Sequence, residues 1–196
     1  MKEQEQGVES AAAFMELLKG RRSCRDYSER PVPQEMIDFC LEAARLSPSA
    51  CNKQPWRFVI VTSPEKRAAL VSGALLPGLP MPWLAKAPVI VALCAEKSVV
   101  THTLAPFFSG VSYHLIDCGI AGEHFVLAAE SQGLGTCWIG WFKPKAVRRI
   151  LGIPRGVQVL SLISMGFPEK ASEPRPRLPL SEIAFTDSWQ GDRPAP

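Results

Sequence analysis

The 196-residue sequence predicts an α+β fold, a sandwich of helices around one sheet. Three observations carry that expectation. Several segments place apolar residues three and four apart, the period of a helix. Between them lie short β-branched or wholly apolar runs, too short for helices and suited to strands. The two kinds alternate without an internal repeat, and the length suits a single domain over residues 1–196.

Taken in order, Ser10 is placed to cap a first helix, in which Phe14, Leu17 and Leu18 share a face before Gly20 ends it. Pro33 suits the first turn of a second helix, where Met36, Ile37, Cys40, Leu41 and Ala44 recur until Ser47-Pro48 stops them. Arg57 to Thr62 reads as a strand, and a short helix runs from Pro64 to about Val71. Pro88 to Cys94 is apolar throughout, as a central strand would be. Between them, Gly73 to Trp83 mixes proline and glycine with bulky apolar side chains. It is too broken for a helix and too apolar for an ordinary exposed loop, so a lid or partner-covering role is expected. Tyr113 to Gln132 reads as a long helix, with Ile116, Ile120, Phe125, Val126 and Ala129 available for burial and Gly133 closing it. Pro144 opens a further helix through Ile150, and Val157 to Met165 is the last strand. Residues 168–196 are proline-rich with little apolar periodicity, and are expected to form an arm.

Bulk composition excludes several functions. The formal charge of +3, with no Lys/Arg run interleaved with aromatics, argues against nucleic acid. The longest apolar run, Pro88 to Ala95, falls far short of the roughly 20 residues that span a bilayer. The polar, acidic opening lacks the apolar stretch of a signal peptide, so a cytoplasmic location is expected. Cys24, Cys40, Cys51, Cys94, Cys118 and Cys137 are scattered, with no CxxC pair. Structural or incidental thiols are the expectation, with Cys24 and Cys51 flanking the motifs below. His102, His114 and His124 show no close ligand spacing, so no metal site is expected.

The chemistry-bearing residues fall in three places. Arg21, Arg22, Ser23 and Arg25 gather three cations and a hydroxyl just after the first helix. Arg175 and Arg177 flank Pro176, whose fixed φ stiffens the segment that carries them. Guanidinium groups suit phosphate oxygens, and Ser23 can add a donor. Ser47 to Trp56 is a turn-forming segment with Asn52 and Gln54, whose amides match the edge of a pyrimidine-like ring. Gly133-Leu134-Gly135 fails as a dinucleotide fingerprint, because a helix precedes it and Trp138 stands where the third glycine belongs. No catalytic triad or carboxylate pair is evident. Trp138, Trp141 and Phe142 read as core or as ligand contacts.

In combination and order, these motifs resemble the nitroreductase family. The likeness runs from RRS-x-R through PSA-x-N-x-QPW-x-F and AGEHFVLAAESQGLGT-x-WIG, which the family places in a central helix and a turn, to MGFP and the arginine pair. It covers roughly Phe14 to Ile183. The resemblance implies a mostly antiparallel sheet flanked by helices, in an intertwined homodimer with FMN at the interface. It implies NAD(P)H as electron donor and a small nitroaromatic or quinone-like oxidant, used in ping-pong order, with FMN and no protein side chain carrying the chemistry. By matching positions, Arg21 and Ser23 hold the phosphate and ribityl chain, Arg22 is expected among the cofactor-binding residues beside them, and Arg25 approaches the N1–C2 side of the ring. Pro48, Ser49, Asn52 and Gln54 belong to a segment supplied by the other subunit. Gly135 and Thr136 fall beside the ring, and Arg175 and Arg177 hold the terminal phosphate. Two alternatives stay open: a flavin-fragmenting or dehalogenating member, and a non-catalytic flavin-binding sensor.

Overall fold

The computed structural model describes residues 2–96, 110–170, 172–189 and 191, with side chains from residue 9 onward; His102 lies outside these residues. Helix α1 spans Lys2–Gly20 and α2 Gln34–Arg45. A 3-10 turn at Ala50–Asn52 leads to strand β1, Trp56–Val61. Helix α3, Pro64–Gly73, begins with Pro64, and Ser63 accepts from the Lys66 N–H as its cap. A second 3-10 turn, Pro82–Lys86, precedes β2, Val89–Glu96. Then come α4 (Tyr113–Ser131), β3 (Gly135–Ile139), α5 (Pro144–Leu151), β4 (Val157–Gly166) and a short α6 (Leu180–Ile183).

The strands form one sheet in the order β1-β2-β4-β3, and each of its pairings is antiparallel. β2 is buried from Val89 to Ala95, as its apolar run requires. Alternation along it divides the core in two. Ile90, Ala92 and Cys94 point to the face covered by α3, α5 and the 74–87 segment. Val89, Val91, Leu93 and Ala95 point to the face covered by α2 and α4. The result is helices, sheet, helices.

Three expectations need correction. Helix α1 begins at Lys2, so Ser10 lies inside it and caps nothing; the Glu- and Gln-rich residues before Ser10 are good helix formers and extend the helix. Phe14 and Leu18 share a face of that helix, as expected, and are 53% and 38% exposed on it. Ile116, expected to be available for burial, is 48% exposed, on the side of α4 away from its buried neighbours His114, Asp117 and Cys118. The GLGT-x-WIG stretch, Gly133 to Gly140, which the resemblance gives as a turn, contains an edge strand, Gly135–Ile139, paired with β4. Gly135 lacks a side chain for packing reasons: a Cβ there would stand 2.6 Å from the Cys24 Cβ.

Candidate functional site

The chain leaving α1 is fastened along β3. Ser23 bridges Thr136 in parallel, and the Cys24 N–H donates to the Thr136 carbonyl at 2.8 Å. Farther on, Tyr27 bridges Pro168, and the Ser28 N–H donates to the Phe167 carbonyl at 3.0 Å. The buried Tyr27 hydroxyl donates to the Cys24 carbonyl at 2.8 Å and lies 2.7 Å from Ser164 Oγ. Burial holds its phenol far above the ordinary tyrosine range. These links turn an irregular segment into a fixed one. Arg22 also donates to the Lys19 and Arg21 carbonyls, satisfying the end of α1.

The residues after β4 return alongside this segment, the Glu169 N–H donating to the Asp26 carbonyl at 3.1 Å. Arg175 and Arg177 are thereby brought opposite Arg21, Arg22, Ser23 and Arg25, around a cavity of about 360 Å³. Glu173 is the one carboxylate lining it, against five guanidinium groups. Arg21 is partly engaged already, its Nε lying 3.7 Å from Glu123 Oε1. Six of the expected site residues therefore converge.

Arg25 also lines a second cavity of about 360 Å³. Its walls are Leu79, Met81 and Trp83 on one side and Cys137 to Trp141 on the other. The Gly73–Trp83 stretch is held there by backbone. Leu75 bridges Phe142, and the Trp141 Nε1–H donates to the Pro77 carbonyl at 3.0 Å. The Lys143 N–H donates to the Ala74 carbonyl at 2.6 Å. Trp138 lines the cavity while its ring packs against Gly122, and Phe142 belongs to the core. Burial pushes the Cys137 thiol up, with Arg25 opposing the shift. Cys24 is likewise raised, mainly by burial. Neither is an activated thiolate.

Other expected residues stand elsewhere. Gly135 borders a smaller cavity of about 270 Å³ with Arg22, Glu130 and Lys170. Thr136 is buried, and its carbonyl is engaged by Cys24. Pro48, Ser49, Asn52 and Gln54 line none of these three cavities. They form an exposed turn of their own, in which Ser49 Oγ accepts from the Gln54 N–H at 2.9 Å and Gln54 Nε2 donates to Asn52 Oδ1 at 3.0 Å. Sequence reasoning missed Ser172 and Glu173, which lie within five residues of Arg177. It singled out Gly73–Trp83 as a segment without assigning Leu79, Met81 or Trp83 to a cavity. The six cysteines are free, and among the described residues no group of His, Cys, Asp or Glu is placed to hold a metal. Among those residues, too, no helix is long and apolar enough to cross a membrane.

Comparison with known proteins identifies the family. A family model described as the nitroreductase family covers residues 18–76 and 77–167. A protein of Archaeoglobus fulgidus, provisionally named an NADH dehydrogenase/NAD(P)H nitroreductase, is 35% identical over 163 residues, covering 79% of this chain and 85% of its own. The FMN reductase [NAD(P)H] of Bacillus subtilis is 31% identical over 188 residues, covering 88% of this chain and 72% of that protein. A crystal structure of a nitroreductase family protein from Clostridium difficile superimposes with a TM-score of 0.76 at 29% identity, over 88% of this chain and 97% of that one. Match to the family model over more than half its length, together with the shared fold, places the chain in the nitroreductase family.

Proposed function

We propose that this oxidoreductase holds FMN across its two Arg25-sharing cavities and uses it to move electrons from NAD(P)H to a small nitroaromatic or quinone-like acceptor. The observation that carries the reading is the convergence of Arg21, Arg22 and Arg25 with Arg175 and Arg177 around one cavity. Five guanidinium groups against one carboxylate suit a dianionic phosphate. The neighbouring cavity, walled by Trp83, Trp138 and Trp141, suits a flat ring. Arg25, at the junction, suits a ring edge that gains negative charge on reduction. The residues present fit FMN at both ends.

FMN held there would supply two-electron chemistry between NAD(P)H and the acceptor, in ping-pong order. The chain's own residues bind and orient. Arg21, Arg22, Ser23, Arg175 and Arg177 anchor the phosphate end, and the indole walls exclude water from the ring. Thr136 acts through its backbone, keeping the Ser23–Arg25 segment against β3, and Gly135 leaves room for the Cys24 side chain.

The site is completed in a homodimer on this reading. Pro48, Ser49, Asn52 and Gln54 lie away from both cavities of their own chain, as residues serving a second copy would. Phe14, Phe39, Leu46, Ile116 and Leu180 are exposed apolar side chains that a partner would cover. Six free cysteines agree with a cytoplasmic setting.

The test is direct. The protein purifies yellow, releases FMN and not FAD on heating, and oxidises NADH or NADPH only when an acceptor is supplied. A panel of nitroaromatics and quinones then ranks acceptors, and sedimentation velocity shows a flavin-bound dimer. Colourless protein that fails to bind added FMN overturns the reading.

A further inference from the structure

The turn from Ser49 to Gln54 has an unusual backbone. Cys51, Asn52 and Gln54 adopt φ of 50°, 52° and 47°. This left-handed region is sterically disfavoured for side-chain-bearing residues, and three within four positions persist only where surroundings hold them. Burial does not do so, because Cys51, Asn52, Lys53 and Gln54 are all exposed. The bonds from Gln54 to Ser49 and Asn52 lie inside the turn and shape it without tying it to the molecule.

The ties come from its two ends. At the far end, exposed Arg57 donates to the Gln54 carbonyl at 3.0 Å while paired with Glu96. At the near end the partners are on α4. Ser47 Oγ lies 2.8 Å from His124 Nδ1, and the Ala50 N–H donates to Asp117 Oδ1 at 3.1 Å. Ala50 opens the 3-10 turn, so its N–H is one that the helix itself cannot satisfy. Asp117 is 3% exposed, and a bond to a carboxylate shielded from water is stronger than one at the surface.

We infer that Asp117 is a positioning residue, holding the Ser49–Gln54 turn in the shape that lets Asn52 and Gln54 meet the flavin edge. The inference rests on the FMN reading above. In this role Asp117 acts through the Ala50 N–H, and it lines neither cavity.

Three variants of the full-length flavin-loaded protein test it. Ala50→Pro deletes the donor and leaves Asp117 intact. Proline suits the first position of a helical turn, and Ser49, with ψ at 156°, already has the extended backbone that a following proline needs. Asp117→Ala removes the acceptor, and Asp117→Asn keeps an acceptor oxygen of the same shape. We expect Ala50→Pro and Asp117→Ala each to raise the FMN dissociation constant about ten-fold, the scale of one lost charge-assisted bond. Both shift the flavin midpoint potential and speed amide hydrogen exchange across residues 49–54, whereas Asp117→Asn stays near wild type on all three. If Asp117→Ala does not fold, Ala50→Pro decides. Unchanged exchange in Ala50→Pro overturns the inference, as does an Asp117→Asn variant as impaired as Asp117→Ala. Faster exchange with unchanged affinity and potential also overturns it, because the turn would then not serve the flavin. Exchange is measurable without flavin, and the Arg177→Ala affinity below tests the phosphate site alone, so failure of the FMN reading is seen separately.

Discussion

The two cavities that meet at Arg25 are built in opposite ways. The cation-lined one takes its groups from irregular backbone at both ends of the chain, residues 21–25 and 172–177. Arg175 and Arg177 are exposed, and few backbone bonds hold their segment. The indole-lined one rests on β3 and on a stretch tied to it at Leu75, Pro77 and Ala74. With residues 21–25 fastened to β3, long-range charge tolerates the looser 172–177 half of the scaffold, since a guanidinium can swing and still face a phosphate. Contact with a flat ring falls away within an ångström or so, and needs a rigid wall. The contrast suggests that affinity is concentrated in the first cavity and reactivity in the second.

The largest effect that would break this division is at the arm. Arg177→Ala should weaken FMN binding ten-fold or more, since a lost charge-assisted contact is worth about 1.5–3 kcal/mol. Saturating FMN should restore most turnover, as the ring cavity is untouched. Titration of apoprotein with FMN, followed by rates at saturation, measures both. An unaltered dissociation constant would remove the arm from the site.

Gly135→Ala attacks the seam between β3 and the Ser23–Arg25 segment. Its new methyl would meet the Cys24 Cβ and Sγ at 2.6 and 2.7 Å, so the Ser23–Arg25 segment must shift. Overpacking of this kind costs about 1–3 kcal/mol. Denaturant melts should show the loss, and flavin occupancy at micromolar protein should fall with it. A variant that melts and binds like wild type would mean that the segment is free to move.

Arg25→Ala sharpens the contrast, being the residue both cavities share. It should keep most FMN bound yet lower the midpoint potential by about 30 mV or more, because a cation beside the ring favours added negative charge. For two electrons, about 1.4 kcal/mol corresponds to 30 mV. Spectroelectrochemistry gives the potential, and stopped-flow mixing with NADPH should show slower reduction. A potential identical to wild type would make Arg25 a surface charge.

The smallest effect is expected at Trp141→Phe. The variant keeps an aromatic wall and deletes the Nε1–H bond to the Pro77 carbonyl, a neutral bond worth about 0.5–1.5 kcal/mol. The acceptor KM should rise a few-fold while FMN affinity stays put. An effect confined to FMN affinity would show that this wall serves the cofactor's anchor and not the acceptor.

The legibility of these parts differs for physical reasons. Helices α2 and α4 announce themselves by an apolar face at the right period, α3 and α5 by their opening prolines, and strands β1, β2 and β4 by short apolar or β-branched runs. β3 does not, being short, glycine-flanked and an edge whose pairing with β4 is nonlocal. Phe14, Leu18 and Ile116 look like core by type and spacing, but spacing says only which residues share a face. Whether another element of the same chain covers that face is a property of the assembled fold.

The same boundary runs through the site. Residue type and local order by themselves determined that Arg21, Arg22, Ser23 and Arg25 form one cluster and that Arg175 and Arg177 form another on a stiff segment. Such pairings within a few residues are dictated by the covalent chain. Only the tertiary structure decided that the two clusters face one cavity, that Leu79 and Trp83 wall a second beside Arg25, and that Asp117 reaches the Ala50 N–H. Those meetings join residues 54 to 156 positions apart in sequence. The chain makes them only by closing a β1-β2-β4-β3 sheet, whose pairings no single segment specifies.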